Sequence, residues 1–183
     1  MKKRILVSQI VTLVLLVAAR PDSWPLFWAG LLLMALGQCV RLAASAAITK
    51  YKTLTTAGPY SAVRNPLYLG TMIMTAGLLT MLTSPSRPLP SAFVWLFGVA
   101  SFGWIYYVTI KSEEVFLETT FGDDFRKYAA SVPALLPTLS GLAGFFETSA
   151  YSREVFRKNK EWRGFTASVV LTLLVAARIH YGF

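Results

Sequence analysis

Apolar segments make up most of the chain and are separated by short polar stretches. A helix needs about 20 predominantly apolar residues to cross a bilayer. The chain is 55% hydrophobic, whereas soluble domains are about 45–50% apolar. We therefore expect an all-α integral membrane protein of about five transmembrane helices, folded as a single membrane domain over residues 1–183. The predicted spans are residues 5–19, 24–48, 66–83, 91–110 and 165–179.

Basic residues are distributed unevenly around these segments. Fourteen of the 18 Lys and Arg residues fall on the side of the N-terminus, three fall on the opposite side, and Arg41 lies inside the second segment. Because Lys and Arg concentrate on the cytoplasmic side, we predict a cytoplasmic N-terminus and cytoplasmic polar loops in a prokaryotic cell membrane. Topology thus accounts for the net charge of +9, and we expect no nucleic-acid partner.

One irregular loop, residues 52–70 (KTLTTAGPYSAVRNPLYLG), lies between the second and third segments. It contains a turn signal at Gly58-Pro59, a charge at Arg64, and Pro66, which favours the first turn of a helix. Irregular backbone at membrane depth is tolerated where protein buries it or where it lines a cavity. The loop is therefore the first candidate for a binding site.

Three charged residues at or within the apolar segments have two interpretations each. Glu113 and Glu114 follow the fourth segment and form either a solvated helix exit or a carboxylate pair for a ligand. Arg41 shares a helical face with Gln38 and Ser45. Its long side chain either snorkels to the membrane surface or marks a cavity.

The chain offers few groups for metal or nucleophile chemistry. It has one histidine, His180, at the far end of the last predicted span, and one cysteine, Cys39, inside the second. We therefore expect no metal site built from His and Cys and no Cys–His nucleophile. Neither GxGxxG nor a P-loop pattern is present, which excludes a nucleotide fold of the soluble type.

Two motifs resemble one known group of membrane enzymes. Residues 55–70, TTAGPYSAVRNPLYLG, resemble the GPY…RHPxYxG signature of the isoprenylcysteine carboxyl methyltransferase family. Residues 113–137, EEVFLETTFGDDFRKYAASVPALLP, resemble its second signature, EExxLxxxFGxxYxxYxxxVPxxxP. The motifs have the family's order and separation, and they cover residues 52–137. The chain is thus similar to integral membrane methyltransferases of the isoprenylcysteine carboxyl and phospholipid types.

The resemblance implies that a methyl group passes from S-adenosyl-L-methionine, held in a cytoplasmic-side pocket, to a lipophilic acceptor. That acceptor is a lipid-like small molecule or a lipidated substrate, such as the carboxylate of a prenylcysteine-like lipid. Arg64 and Glu114 are implied as catalytic residues, and Thr109 and Arg41 as substrate-binding residues. The implied cofactor-binding residues are Lys52, Thr53, Leu54, Thr55, Tyr60, Asn65, Pro66, Leu67, Tyr68 and Glu113.

Three positions depart from the family pattern. Asn65 replaces the usual His of RHP, so this position can form hydrogen bonds but cannot titrate. Lys52 replaces a second His, and Thr109 aligns with an Arg that contacts substrate in eukaryotic members. Two alternatives therefore stay open: an NADPH-dependent enzyme similar to sterol reductases, which share an RHPNY-like motif, and a non-catalytic membrane scaffold.

Overall fold

The computed structural model of the protein describes residues 2–49 and 53–182. Within these ranges the chain is helical and contains no strand, in agreement with the predicted all-α class. The α-helices are α1 (Lys2–Ala18), α2 (Trp24–Ala47), α3 (Pro66–Met81), α4 (Pro88–Phe121), α5 (Asp123–Ser131), α6 (Arg153–Asn159) and α7 (Trp162–Tyr181).

Three of the described helices, α2, α4 and α7, are long and apolar enough to cross a membrane. Helices α1 and α3 are also apolar but have only 17 and 16 residues. At about 1.5 Å per residue they are roughly 25 Å long, somewhat less than the ~30 Å hydrocarbon core. The chain is therefore an integral membrane protein with three candidate spans. The count of five, which adds α1 and α3, stays a prediction.

Helix α4 extends beyond the predicted span 91–110. The sequence predicts that the polar stretch 111–131 after this span is also helical, and α4 continues into it as far as Phe121. No Gly or Pro interrupts residues 104–121, so the helical hydrogen bonds continue until Gly122. Gly122 has a φ of +54°, a conformation that favours glycine and ends the helix. Glu113 and Glu114 consequently lie within a continuous helix.

The apolar stretch 135–146, for which the sequence favours an interfacial or re-entrant position, is not an α-helix. It contains the 3₁₀ helix Ser140–Phe146, which at about 2 Å per residue is only ~14 Å long and cannot span a membrane. It lies against a second 3₁₀ helix, Gly58–Ser61, where Oγ of Ser61 is 3.2 Å from the carbonyl oxygen of Gly141. This contact packs the stretch onto the irregular loop.

The described chain divides into two compact units. The first comprises residues 2–35, 72–108 and 166–182, and the second comprises 36–49, 53–71 and 109–165. In the first unit, Arg178 donates hydrogen bonds to the carbonyl oxygens of Leu16 and Ala19. These are among the last carbonyls of α1, which have no partner inside the helix. Arg178 therefore caps α1.

In the second unit, side-chain and backbone groups of the α6 region cap the end of α2. Nδ2 of Asn159 donates to the carbonyl oxygens of Ser45 (2.8 Å) and Ile48 (3.1 Å). The amide of Ser152 donates to the carbonyl oxygen of Ala46 at 3.0 Å. The second unit contains all the predicted site residues that the structure describes.

Candidate active site

The two sequence motifs meet through backbone hydrogen bonds. The amide of Arg64 donates to the carbonyl oxygen of Pro133 at 2.9 Å, and the amide of Asn65 donates to that of Ala134 at 3.2 Å. The side chain of Asn65 also donates to Ala134, with Nδ2 3.1 Å from the carbonyl oxygen. Asn65 is buried, and its side chain holds the loop against the chain that follows α5.

Arg64 connects the loop to both α4 and α5. Its Nη2 lies 2.5 Å from Oε1 of Glu114 on α4. Its Nη1 donates to the carbonyl oxygens of Ala129 (2.9 Å) and Val132 (2.6 Å) at the end of α5. Because a cation at a helix C-terminus stabilises the unpaired carbonyls, Arg64 caps α5. Lys111 adds a longer contact to Glu114, of 4.0 Å to its other oxygen.

Glu113 pairs with a different partner from its neighbour Glu114. The hydroxyl of Tyr68, in the first turn of α3, donates to Oε1 of Glu113 at 2.5 Å. Thr109 lies one helical turn before Glu113 on α4 and is half-buried. The structure thus brings Tyr68 and Glu113 into contact, and it places Thr109 on the same face of α4.

Tyr60 is buried on the 3₁₀ helix of the loop, at 5% exposure. Its carbonyl oxygen accepts a hydrogen bond of 2.6 Å from the hydroxyl of Tyr128. Burial raises the pKa of Tyr60 well above its ordinary value, and nearby Tyr128 and Glu113 raise the pKa further. The Tyr60 hydroxyl therefore stays protonated at neutral pH and can donate a hydrogen bond.

Arg41 is anchored to two elements of the second unit. Its Nε donates to Oε1 of Glu161 at 2.7 Å, and Nη2 lies 2.5 Å from the same oxygen. Its Nη1 donates to the carbonyl oxygen of Leu67 at 3.3 Å and to the hydroxyl of Thr71. The guanidinium is thus bound to α3 and to the start of the α7 region, beside a predicted cofactor residue.

Four buried side-chain atoms have no hydrogen-bond partner among the described residues. They are both amide atoms of Gln38, the hydroxyl of Tyr60 and Nε of Arg64. An unpaired buried polar group costs about 1–3 kcal/mol, and such groups in proteins are normally satisfied by protein, water or ligand. All three residues belong to the second unit, and these atoms can hold polar groups of a ligand.

The remaining predicted cofactor residues are placed as follows. Lys52 lies outside the described residues. Thr53 is exposed, while Leu54 and Thr55 are half-buried in irregular chain before the 3₁₀ helix. The hydrogen bonds that join Arg64, Tyr68 and Asn65 to their partners do not include this segment. Pro66 is the buried first residue of α3 and Leu67 follows it, so the helix begins where the sequence predicts.

Sequence reasoning missed two partners in this region. Glu161 pairs with Arg41 across 120 residues. The sequence feature that could have indicated this partner is that Glu161 is one of only two acidic residues in the basic stretch 151–163. Tyr128 holds the Tyr60 carbonyl and occupies a Tyr position of the second motif. Across the described ranges no three His, Cys, Asp or Glu side chains group closely enough for a metal ion.

Comparison with known proteins identifies the family. The family described as phospholipid methyltransferase matches residues 26–124, more than half of the chain. The chain is also 35% identical over 91 residues to the cobalt-zinc-cadmium resistance protein CzcN of Cupriavidus metallidurans. That match covers 50% of this chain and 38% of the relative's length. No solved structure matches the chain. The family match confirms the resemblance read from the two motifs, and the chain belongs to the phospholipid methyltransferase family.

Proposed function

We propose that the protein uses S-adenosyl-L-methionine to methylate a lipophilic acceptor in the membrane. Membership in a family of methyltransferases supports transfer of a methyl group, and the long apolar helices support an acceptor that reaches the site from the lipid. The observation that carries the proposal is the pair of buried, unpartnered polar atoms on the loop, the Tyr60 hydroxyl and Arg64 Nε. Within the described ranges, protein atoms satisfy neither.

The side chains near these atoms suit the polar groups of the cofactor. Glu113 is a carboxylate that can pair with the cofactor's ammonium group through a charge-assisted hydrogen bond, and Tyr68 fixes its orientation. Backbone amides of irregular chain can bind a carboxylate. The proposed cofactor-binding residues are Lys52, Thr53, Leu54, Thr55, Tyr60, Asn65, Pro66, Leu67, Tyr68 and Glu113.

When bound, S-adenosyl-L-methionine supplies a methyl group on a sulfonium that is transferred by in-line displacement. Such a reaction depends mainly on alignment of the two reactants. Arg64 has already committed Nη1 and Nη2 to α5 and Glu114, which leaves Nε to donate to a ligand oxygen. We propose that Arg64 orients the reactants and that Glu114 holds the guanidinium in place. Thr109 and Arg41 are proposed to lie on the acceptor side.

The test is calorimetric binding of S-adenosyl-L-methionine, with NADPH as the comparison, to detergent-purified protein. We expect the methyl donor to bind and NADPH not to bind. Glu113→Gln should weaken binding about tenfold or more, because it removes a charge-assisted bond of roughly 1.5–3 kcal/mol. Glu118→Gln is the matched control, since Glu118 lies on the same helix as Glu113, is exposed and is paired with Arg126 of α5; this variant should bind as wild type does.

Each other outcome points to a different function. NADPH binding without methyl-donor binding would favour the reductase, and binding of neither would favour the scaffold. Activity is measured separately by incubating membranes with methyl-labelled S-adenosyl-L-methionine and counting label in the organic extract. Label found in a water-soluble methylated product, as distinct from unreacted donor, would contradict a lipophilic acceptor.

We also propose that the loop faces the cytoplasm, as the bias of basic residues predicts. A single cysteine at the exposed position Thr53 (Thr53→Cys, in a Cys39→Ser background) tests this in intact cells of the expression host. We expect protection from a membrane-impermeant thiol reagent until the cells are opened. Labelling of intact cells would place the loop on the outer side.

A further inference from the structure

Gln38 is a buried polar residue in α2, one of the candidate spans. Its side chain is 5% exposed, and within the described ranges neither its amide nitrogen nor its amide oxygen has a hydrogen-bond partner. An unpaired buried group costs about 1–3 kcal/mol. An apolar side chain of the same length would avoid that cost, so the amide has a reason to be present only if something binds it.

Gln38 lies next to the candidate active site along α2. Arg41 follows one turn later on the same helical face, and its Nη1 donates to the carbonyl oxygen of Leu67 at 3.3 Å. The next residue, Tyr68, holds Glu113 through its hydroxyl. The unpartnered amide is therefore one helical turn from a side chain that is bonded directly to the site.

The chemistry of the amide limits what can bind it. A primary amide presents both hydrogen-bond donors and an acceptor. A hydroxyl can satisfy both at once because it also donates and accepts. A carboxylate only accepts and an ammonium only donates, so either would leave half of the Gln38 amide unpaired.

The nearby ion pairs disfavour an anionic group as well. Arg41 is paired with Glu161 and Arg64 is paired with Glu114, in both cases at 2.5 Å. Each guanidinium is thus already neutralised by a carboxylate of this chain. A carboxylate entering the site would have to compete with Glu161 or Glu114 for its cation.

We infer that Gln38 binds the polar end of the methyl acceptor and that this end is uncharged and hydroxyl-like. The inference rests on the proposed function and names the class of its substrate: an apolar molecule with a group that both donates and accepts hydrogen bonds. It differs from the carboxylate of a prenylcysteine-like lipid, which the sequence motifs alone imply.

The test compares three probes with the same alkyl chain: 1-dodecanol, dodecanoate and dodecylammonium. Wild-type protein in phosphatidylcholine nanodiscs, whose lipid carries no hydroxyl, is titrated with each probe while the thermal midpoint is recorded. A ligand that binds the folded state raises this midpoint. We expect dodecanol to have the highest apparent affinity.

Gln38→Met keeps the side-chain length and removes the amide. We expect its apparent affinity for dodecanol to fall about tenfold and its midpoint without ligand to stay level or rise, because the unpaired amide is gone. Gln9→Met is the matched control, since Gln9 is exposed on α1; it should behave as wild type. If Gln38→Met does not fold, Gln38→Glu serves instead and should shift preference from dodecanol to dodecylammonium.

Three results would overturn the inference: equal affinity for the three probes, the highest affinity for dodecanoate or dodecylammonium, or unchanged dodecanol affinity in the Gln38 variants. Equal affinity would mean that water alone satisfies the amide. Calorimetry with S-adenosyl-L-methionine separates this failure from that of the proposed function. If wild type binds the methyl donor but shows no preference for dodecanol, only the inference is contradicted. If wild type does not bind the methyl donor, the proposed function is contradicted.

Discussion

Arg64 and Glu114 form an ion pair in which Nη2 and Oε1 are 2.5 Å apart and the two side chains are only 14% and 17% exposed. The same guanidinium binds the carbonyl oxygens of Ala129 and Val132 at the end of α5. One side chain of the loop therefore ties together α4, α5 and the two sequence motifs. Its loss should affect the architecture of the site as well as its chemistry.

Arg64→Met should lower the free energy of unfolding by about 3 kcal/mol, because two helix carbonyls lose this donor and a largely buried carboxylate keeps only its 4.0 Å contact with Lys111. Arg126→Met is the control: Arg126 also pairs with carboxylates, those of Asp123 and Glu118, but is 58% exposed. Exposed pairs contribute at most about 1 kcal/mol. Denaturant unfolding in detergent measures both. Equal losses would mean that Arg64 is no more structural than a surface residue.

Replacing each of two tyrosines of the site by phenylalanine should change the stability of the protein in different ways. Tyr128→Phe removes the hydroxyl that donates to the Tyr60 carbonyl oxygen at 2.6 Å and should cost about 1 kcal/mol. Tyr60→Phe removes a buried hydroxyl that has no partner in the described part of the chain. It should leave stability unchanged or raise it, while weakening binding of S-adenosyl-L-methionine.

Thermal unfolding and calorimetry on the two variants check this pair. A loss of stability in Tyr60→Phe as large as that in Tyr128→Phe would show that the Tyr60 hydroxyl has a protein partner. Unchanged donor affinity in Tyr60→Phe would remove the hydroxyl from the proposed cofactor site.

Local signals in the sequence predict most of the helical architecture. The turn at Gly58-Pro59 and the start of α3 at Pro66 are both present, because proline restricts the backbone at its own position and at the preceding one. The predicted span ends where polarity changes, at Ile110, but polarity alone does not break a helix. Helix α4 therefore continues through the polar stretch to Phe121, and Gly122 follows its last residue.

Long-range partners are not predicted. Motif resemblance selects Arg64 and Glu114 separately, yet nothing in either motif says that they pair across 50 residues. Likewise, the sequence leaves Arg41 open between a surface and a cavity position, and its partner Glu161 is 120 residues away. Such pairs depend on how helices pack, and helical periodicity describes only the face of one helix.

Stability should fall at alkaline pH through the buried tyrosines. Burial raises the pKa of Tyr60 and of Tyr128 in the folded protein, whereas a tyrosine in the unfolded chain has a pKa of about 10. Above about pH 10 the folded state therefore holds more protons than the unfolded state, and stability decreases as the pH rises. Below about pH 10 the two tyrosines make their full contribution to stability.

Tyr128→Phe removes one of these tyrosines, so its thermal midpoint should fall less than that of wild type between about pH 8 and 11. Other groups that titrate in this range are common to both proteins. Parallel curves for wild type and Tyr128→Phe would contradict a raised pKa at Tyr128.

Helices α2 and α3 approach closely in the second unit at Gly37 and Gly70. A Cβ on Gly70 would lie 2.6 Å from the carbonyl oxygen of Gly37, and backbone cannot move aside as a side chain can. Gly70→Ala should therefore destabilise the protein by about 1–3 kcal/mol. Gly103→Ala is the control, because a Cβ there would meet no described atom within 4 Å apart from its own neighbouring helix backbone. Alanine favours a helix over glycine by up to about 1 kcal/mol, so this control should be neutral or stabilising. Denaturant unfolding should show a loss of stability for Gly70→Ala and no loss for Gly103→Ala. Equal stability of the two variants would mean that α2 and α3 can separate at Gly70 without cost.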